Sequence, residues 1–264
     1  MNIHYYGYNT FLIESQGKKI AIDPGALFFY WFRFTTVIPK SEWDEITHIF
    51  VTHGDPDHYW HFDRVANASK AKVILNKTMV KNINGKPLLL GPRSKGLAFN
   101  TTVDNLTTLS VGEVIHLDDM TITGIKSTHG PMIIKLGPLS KTLTPGPTER
   151  VGWGSIGFKI DIEDKSIVNL GDSLFEKEAW KAIKEPDVLM IPIGGRIIPN
   201  TMNEKEPVEA VKLMQPKIVI PCHYNGFGLF SKSYNPADVE WFKSEVEKTE
   251  ARCVSLKPGQ SYKT

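Results

Sequence analysis

The sequence predicts an α/β protein in which two β-sheets pack face to face and helices cover the outside. Three observations predict it. The first 23 residues read as consecutive short strands, the second half alternates strands with helices, and the composition is that of an ordinary globular chain. Of 264 residues, 41% are hydrophobic and 23% charged, with 21 glycines and 17 prolines, which excludes disordered, collagenous and coiled-coil classes. A chain this long buries roughly three quarters of the surface its unfolded form exposes, enough for a two-sheet core.

Taken in order, Ile3–Gly7, Thr10–Ser15 and Lys19–Asp23 are β-rich runs joined at Tyr8-Asn9 and Gln16-Gly17-Lys18, the Asn/Gly punctuation of hairpins. An aromatic-rich loop is expected from Pro24 to Pro39. Glu45–Thr52 carries apolar or β-branched residues on both faces and reads as a buried strand. Ala71–Leu75 is another strand, residues 84–106 read as irregular, and Leu109–Leu117 and Met120–Lys126 read as strands joined at Asp118-Asp119. Leu136–Arg150 carries three prolines and two glycines and predicts a long, lid-like loop over residues 137–150. Ser155–Ile162 and Ser166–Leu170 predict a hairpin. Helices at Leu174–Lys184, Glu206–Met214 and Pro236–Lys248 then alternate with strands at Val188–Ile193, Ile218–Pro221 and Arg252–Leu256. Pro207 suits the first turn of its helix. No low-complexity linker or repeat divides the chain, so residues 1–264 are read as one domain.

Charge and composition narrow the partners. Thirty-one basic against 29 acidic residues give a net charge of +2, so no nucleic acid is expected. The longest apolar run, Ala26–Phe32, is far short of the ~20 residues of a membrane span. The N-terminus lacks the basic and apolar regions of a signal peptide, and the two cysteines, Cys222 and Cys253, are too few for a disulfide framework. A cytoplasmic protein is expected. The aromatic cluster 28–34 reads as core or homo-oligomer surface, with a pocket wall or membrane-touching edge as the other reading.

Histidine carries the chemistry. Three of the eight histidines, His53, His58 and His61, fall within nine residues, together with Asp55 and Asp57. Thr52–His58 has the form H-x-D-x-D-H at the end of a buried strand, and imidazole and carboxylate are the usual ligands of Zn, Mn and Fe. His129, Asp172 and His223 each follow a later predicted strand. Strand ends of a two-sheet sandwich share one rim, so all four groups can meet there.

This ordered set resembles the five-motif pattern of the metallo-β-lactamase superfamily of metal-dependent hydrolases, over nearly the whole chain. Within it, Gly7–Glu14, Ile22-Asp23-Pro24, Thr201-Met202 before Glu209-Ala210, and Pro216-Lys217 through Pro221–Asn225 are similar to the L-ascorbate-6-phosphate lactonase-like group. The resemblance implies a four-layer αββα sandwich and two divalent metal ions (Zn, Mn or Fe). One ion would rest on His53, Asp55 and His129, the second on Asp57, His58 and His223, with Asp172 between them and Asp23 ordering the His53 loop. Most members have His where Asp55 stands; a carboxylate is a harder ligand and shifts preference toward Mn or Fe. The group commonly has His at Tyr8.

The implied reaction is hydrolysis of a lactone or other ester of a small polar or anionic molecule by a dinuclear-metal-activated hydroxide, with Asp57 as the catalytic carboxylate. A phosphodiesterase of nucleotide or phospholipid type and a non-catalytic metal-dependent sensor are the alternatives. His61, Arg196, Tyr224 and Asn225 are candidates for supporting or substrate contacts. Cys222 is read as core, because neighbouring strand residues face opposite ways.

Overall fold

The computed structural model describes the whole chain except residues 29–33, 84–85, 91–97, 100–102, 137–138, 147–150, 227–232 and 234. An N-terminal sheet of seven strands runs in the order Leu106–Leu109, Lys72–Asn76, His48–Val51, Lys18–Ile22, Thr10–Ser15, Asn2–Gly7, Ser261–Lys263. A C-terminal sheet of seven runs Val114–Leu117, Met120–Ile125, Gly157–Ile162, Lys165–Asn169, Val188–Pro192, Ile218–Cys222, Arg252–Cys253. Each sheet begins with antiparallel hairpins and continues with parallel strands: 18–22, 48–51, 72–76 and 106–109 in one, 165–169, 188–192, 218–222 and 252–253 in the other. Parallel strands end at a common edge, where connecting loops can gather side chains.

Side-chain alternation builds three cores. Between the sheets, Ile3, Phe11, Ile13, Ile20, Ile22, Phe50 and Ile74 meet Ile122, Phe158, Ile160, Ile167, Met190 and Ile220. Phe50 and Phe158 cross edge-to-face with ring centroids 5.1 Å apart. The opposite side of the N-terminal sheet, through Leu12, Ala21, Ile49, Val51, Val73 and Leu75, packs on Trp43, Tyr59, Phe62 and Val65. Those four come from the 3-10 helix Lys40–Glu45 and the helices Pro56–Tyr59 and Phe62–Ser69. The outer side of the C-terminal sheet packs Val168, Leu189, Ile191 and Val219 on Trp180, Val211, Met214, Phe242 and Val246 of the helices Lys177–Trp180, Glu206–Met214 and Val239–Val246. Helix, sheet, sheet, helix is the αββα sandwich expected from the sequence.

Local differences have identifiable causes. Residues 136–150 are not a continuous loop: Leu139–Leu143 pairs with Met132–Leu136 as an antiparallel hairpin. The prolines and glycines that suggested a loop all lie outside 139–143. Residues 84–106 contain the strands Lys86–Leu90 and Ala98–Phe99, and Lys86–Leu90 also pairs with Val80–Ile83. The expected loop after Pro24 holds a short hairpin, Ala26–Phe28 with Phe34–Thr36; the rest of the aromatic cluster lies outside the described residues. The helix expected over 174–184 is α-helical only at Lys177–Trp180, because Leu174 N–H is bound to Thr128 O and Glu185 turns left-handed ahead of Pro186. The strand Ser261–Lys263, unforeseen from the sequence, pairs with Asn2–Gly7.

Candidate metal centre

Each ligand-type residue sits just beyond a strand end. His53, Asp55, Asp57 and His58 follow His48–Val51, His129 follows Met120–Ile125, Asp172 follows Lys165–Asn169, and His223 follows Ile218–Cys222. The structure brings all seven together. Asp55 Oδ2 lies 3.5 Å from His53 Nε2 and 3.3 Å from His129 Nε2. Asp57 Oδ2 lies 3.5 Å from His58 Nε2 and 3.4 Å from His223 Nε2. Asp172 Oδ2 reaches both groups: 2.8 Å to His223, 3.4 Å to His58 and 4.0 Å to His129, all at Nε2.

The hydrogen bonds behind the rings fix which nitrogen faces inward. Asp23 is fully buried and accepts from His58 Nδ1–H (2.7 Å), Thr52 N–H (2.7 Å), Thr52 Oγ1–H (2.6 Å) and Asn9 Nδ2–H (2.7 Å). Thr52 Oγ1, having given its proton to Asp23, accepts from His53 Nδ1–H at 3.0 Å. His129 Nδ1–H donates to Gly130 O at 2.7 Å. With Nδ1 donating on all three rings, it is Nε2 that faces the carboxylates and is the nitrogen available to a cation. His53, His58 and His129 bury that Nε2 with no hydrogen-bond partner, and Asp172 Oδ1 is also buried without one.

That pattern fits divalent cations. An orphaned buried polar atom costs about 1–3 kcal/mol, so three imidazole nitrogens left facing carboxylates need another partner. Donors about 2.1 Å from a shared tetrahedral centre stand about 3.4 Å from one another, the spacing of the Asp55 and Asp57 contacts. The ligand atoms of His53, His129 and Asp172, and those of Asp57, His58 and His223, lie within 4.8 Å of one another in each group. Asp23 also falls in such a group, with His53 and His58, but its carboxylate is already occupied by four donors.

Charge is balanced by protons when no cation is bound. Burial pulls His58 down, but Asp172, Asp57 and Asp23 hold it well above the usual imidazole range. Burial opposes the same rise at His223, which Asp172 and Asp57 push up to about 9. Burial favours the neutral forms of Asp57 and Asp172 too, yet the neighbouring imidazoles hold both well below the usual carboxylate range. Burial lowers His129. The carboxylates thus favour protons on His58 and His223 that a bound cation would displace.

Asp55 is held from a direction the sequence did not reveal. Gly152 N–H donates to Asp55 Oδ1 at 2.9 Å, which leaves Oδ2 for the histidines. Gly152 has φ +58, and a Cβ there would fall 2.2 Å from His129 Cβ, so only glycine brings this backbone so close. Thr52, Asn9, Asn169 and Asn235 complete the surroundings; the Asn235 amide nitrogen lies 3.4 Å from His223 Nδ1. No spacing rule marks such isolated polar residues.

Four sequence candidates do not join the cluster. His61 is buried beside Trp43, with ring centroids 6.2 Å apart and its N–H on Pro24 O. Arg196 is engaged by Glu204 as an ion pair. Tyr224 packs on the outer helical core and its hydroxyl meets Ser255 Oγ at 3.1 Å. Asn225 binds the backbone of Asn235 and Ala237. The left-handed conformations of His223 and Asn225 (φ +51 and +47) break the strand register and turn this stretch away from the rim.

A two-sheet sandwich with a His/Asp centre on one rim defines a class of metallohydrolase. The family model of the β-lactamase superfamily domain matches residues 2–223; the chain belongs to this superfamily, as a metal-dependent hydrolase. It is 27% identical over 270 residues to a UPF0173 metal-dependent hydrolase of Methanopyrus kandleri, covering 99% of both chains. A UPF0173 metal-dependent hydrolase of Alkaliphilus metalliredigens is 28% identical over 257 residues, covering 97% of both. The metallo hydrolase Igni18 of Ignicoccus hospitalis shares the fold with a TM-score of 0.69 at 21% identity, covering 100% of this chain and 98% of that one. Among the described residues no helix is long and apolar enough to cross a membrane.

Proposed function

We propose that the protein is a dinuclear-metal hydrolase of the lactonase-like group, acting on a lactone or other ester of a small polar or anionic molecule. The supporting observation is the set of three buried, partnerless imidazole Nε2 atoms facing three carboxylates. On this reading His53, Asp55 and His129 would hold one cation and Asp57, His58 and His223 the other, with Asp172 placed within reach of both groups. Bound divalent cations supply positive charge that acidifies water and polarises an acyl or phosphoryl oxygen. Asp57 is the only one of the cluster's carboxylates with an open side, its side chain 23% exposed against 4% for Asp55 and 1% for Asp172. It orients the attacking water by accepting a hydrogen bond, takes its proton as the new C–O bond forms, and returns that proton to the leaving oxygen as the original acyl C–O bond breaks. Because donors from residue 53 to residue 223 meet at one place, residues 1–264 act as one domain, and the near-neutral charge suits a small substrate in the cytoplasm.

A panel of lactones and aryl esters, set against bis-p-nitrophenyl phosphate and assayed with Mn, Zn or Fe, tests the reading. Ester or lactone turnover that disappears in Asp172→Ala supports it. Turnover of the phosphodiester alone replaces it with a phosphodiesterase. Metal uptake with no turnover of any substrate replaces it with a sensor, and absence of saturable metal binding removes it.

A further inference from the structure

Beneath the centre lies a second polar group that touches no substrate space. Asn9 stands in the turn between the first two strands and Asn169 at the end of Lys165–Asn169, one from each sheet, and both are fully buried. Their side-chain amides pair reciprocally: Asn9 Nδ2–H donates to Asn169 Oδ1 and Asn169 Nδ2–H to Asn9 Oδ1, both at 3.0 Å. The second proton of Asn9 Nδ2 goes to Asp23 Oδ2 at 2.7 Å, and the second lone pair of Oδ1 faces Cys222 Sγ–H at 3.4 Å. All four hydrogen-bonding valences of Asn9 are used, which a buried amide needs and seldom achieves by accident.

Each of those contacts leads toward His58, His223 or Asp172, the last of which reaches both groups. Asp23 holds His58 Nδ1. Asn169 Oδ1 also accepts Gly171 N–H at 2.9 Å, which sets the backbone just before Asp172. Cys222 directly precedes His223, and Tyr8 O, adjoining Asn9 in its turn, accepts His223 N–H at 2.8 Å. The donors of the other group are tied elsewhere: Asp55 to Gly152 and His129 to Gly130, with only His53 linked to the network, through Thr52.

We propose that Asn9 is a positioning residue of the centre, registering His58 and His223, together with the shared Asp172, across the two sheets. The proposal rests on the two-cation reading above. Groups that orient ligands from behind typically change metal affinity 10–100-fold when removed, and here the larger effect falls on the His58 and His223 side, because the other side is reached only through the shared Asp172 and through Thr52.

Cobalt(II) titration of the metal-free protein, read by its ligand-field absorption and by calorimetry, tests this in wild type and Asn9→Ala. Wild type should take up two ions. Asn9→Ala should bind one ion about 10–100-fold more weakly and the other with a clearly smaller loss, with the larger spectral change on the more weakened ion. If Asn9→Ala does not fold, Asn9→Ser, which retains one donor and one acceptor, is judged by the same split. Two unaltered affinities, or two that fall by the same factor, overturn the positioning role while leaving the two-cation reading intact. Uptake of a single ion by wild type overturns both.

Discussion

Replacing Gly152 by alanine should damage the centre from outside its ligand set. The new methyl group would sit 2.2 Å from His129 Cβ and 2.4 Å from Cγ, where ordinary contact is 3.4–4 Å, so one of the two must move by more than 1 Å. Neither is the free end of a flexible chain: Gly152 N–H is bonded to Asp55 Oδ1, and His129 is tied through Nδ1 to Gly130 O. The left-handed φ of +58 costs an alanine about 1–2 kcal/mol, and relieving the overlap about 1–3 kcal/mol more. A stability loss of about 2–5 kcal/mol is therefore expected. Because the shift parts Asp55 from His129, affinity for the ion they would share should fall about 10–100-fold. Urea unfolding of the metal-free protein and calorimetric metal titration measure the two effects. Gly112→Ala is the control, since Gly112 has φ +82 with nothing within 4 Å of the added methyl, and should show the conformational cost alone. If Gly152→Ala loses no more stability than Gly112→Ala and binds metal like wild type, the steric reasoning is wrong.

Three further outcomes follow from the same geometry. Asp57→Asn should lower kcat about 10²–10⁴-fold, as expected for loss of a positioned proton acceptor, and a fall of less than threefold would remove Asp57 from the chemistry. Metal uptake should strengthen and release protons as pH rises from 6.5 to about 9, because the raised His223 proton must leave before Nε2 can bind. The stability that this proton lends the metal-free protein is fully present below pH 6.5 and is lost through about 9; titrations in buffers of different ionisation enthalpy measure the release, and pH-independent affinity would contradict it. Burial pushes Cys253 up to about 12 and Cys222 well above the usual thiol range, so neither should react with a disulfide reagent at pH 8 until the protein is unfolded. The stability linked to the raised Cys253 value is complete below pH 9 and lost toward about 12, and a native thiol titrating at pH 8 would refute the burial of either cysteine.

The residues that meet at the rim were legible because chemistry and position coincide in the chain. His53 through His58 are packed into six residues, and His129, Asp172 and His223 each follow an apolar run that reads as a strand. The layers were legible for the same reason: period-two alternation and the helix Glu206–Met214, with Pro207 in its first turn, are strong local signals. What escaped depends on distance in sequence. Asn9 meets Asn169 across 160 residues and Gly152 meets Asp55 across 97, and a single Asn or Gly carries no local mark of such a partner. Proximity in sequence also misled: His61 and Asn225 stand beside true members of the cluster, yet a helix start and a left-handed turn direct them elsewhere.

The division of the donors between the two sheets has a mechanical consequence. Four come from the loop after one strand of the N-terminal sheet, and three from strands of the C-terminal sheet. A cation gripped from both sides would be a cross-link between two slabs that otherwise meet through an apolar core and the Asn9–Asn169 pair. It resists shear at the open rim, where the inter-sheet core ends, much as a rivet does at the edge of a laminate. Removing metal with a chelator should therefore loosen the sandwich as well as silence it. Amide protons of Ile218–Cys222 and His48–Val51 should exchange faster together, although these strands belong to different sheets.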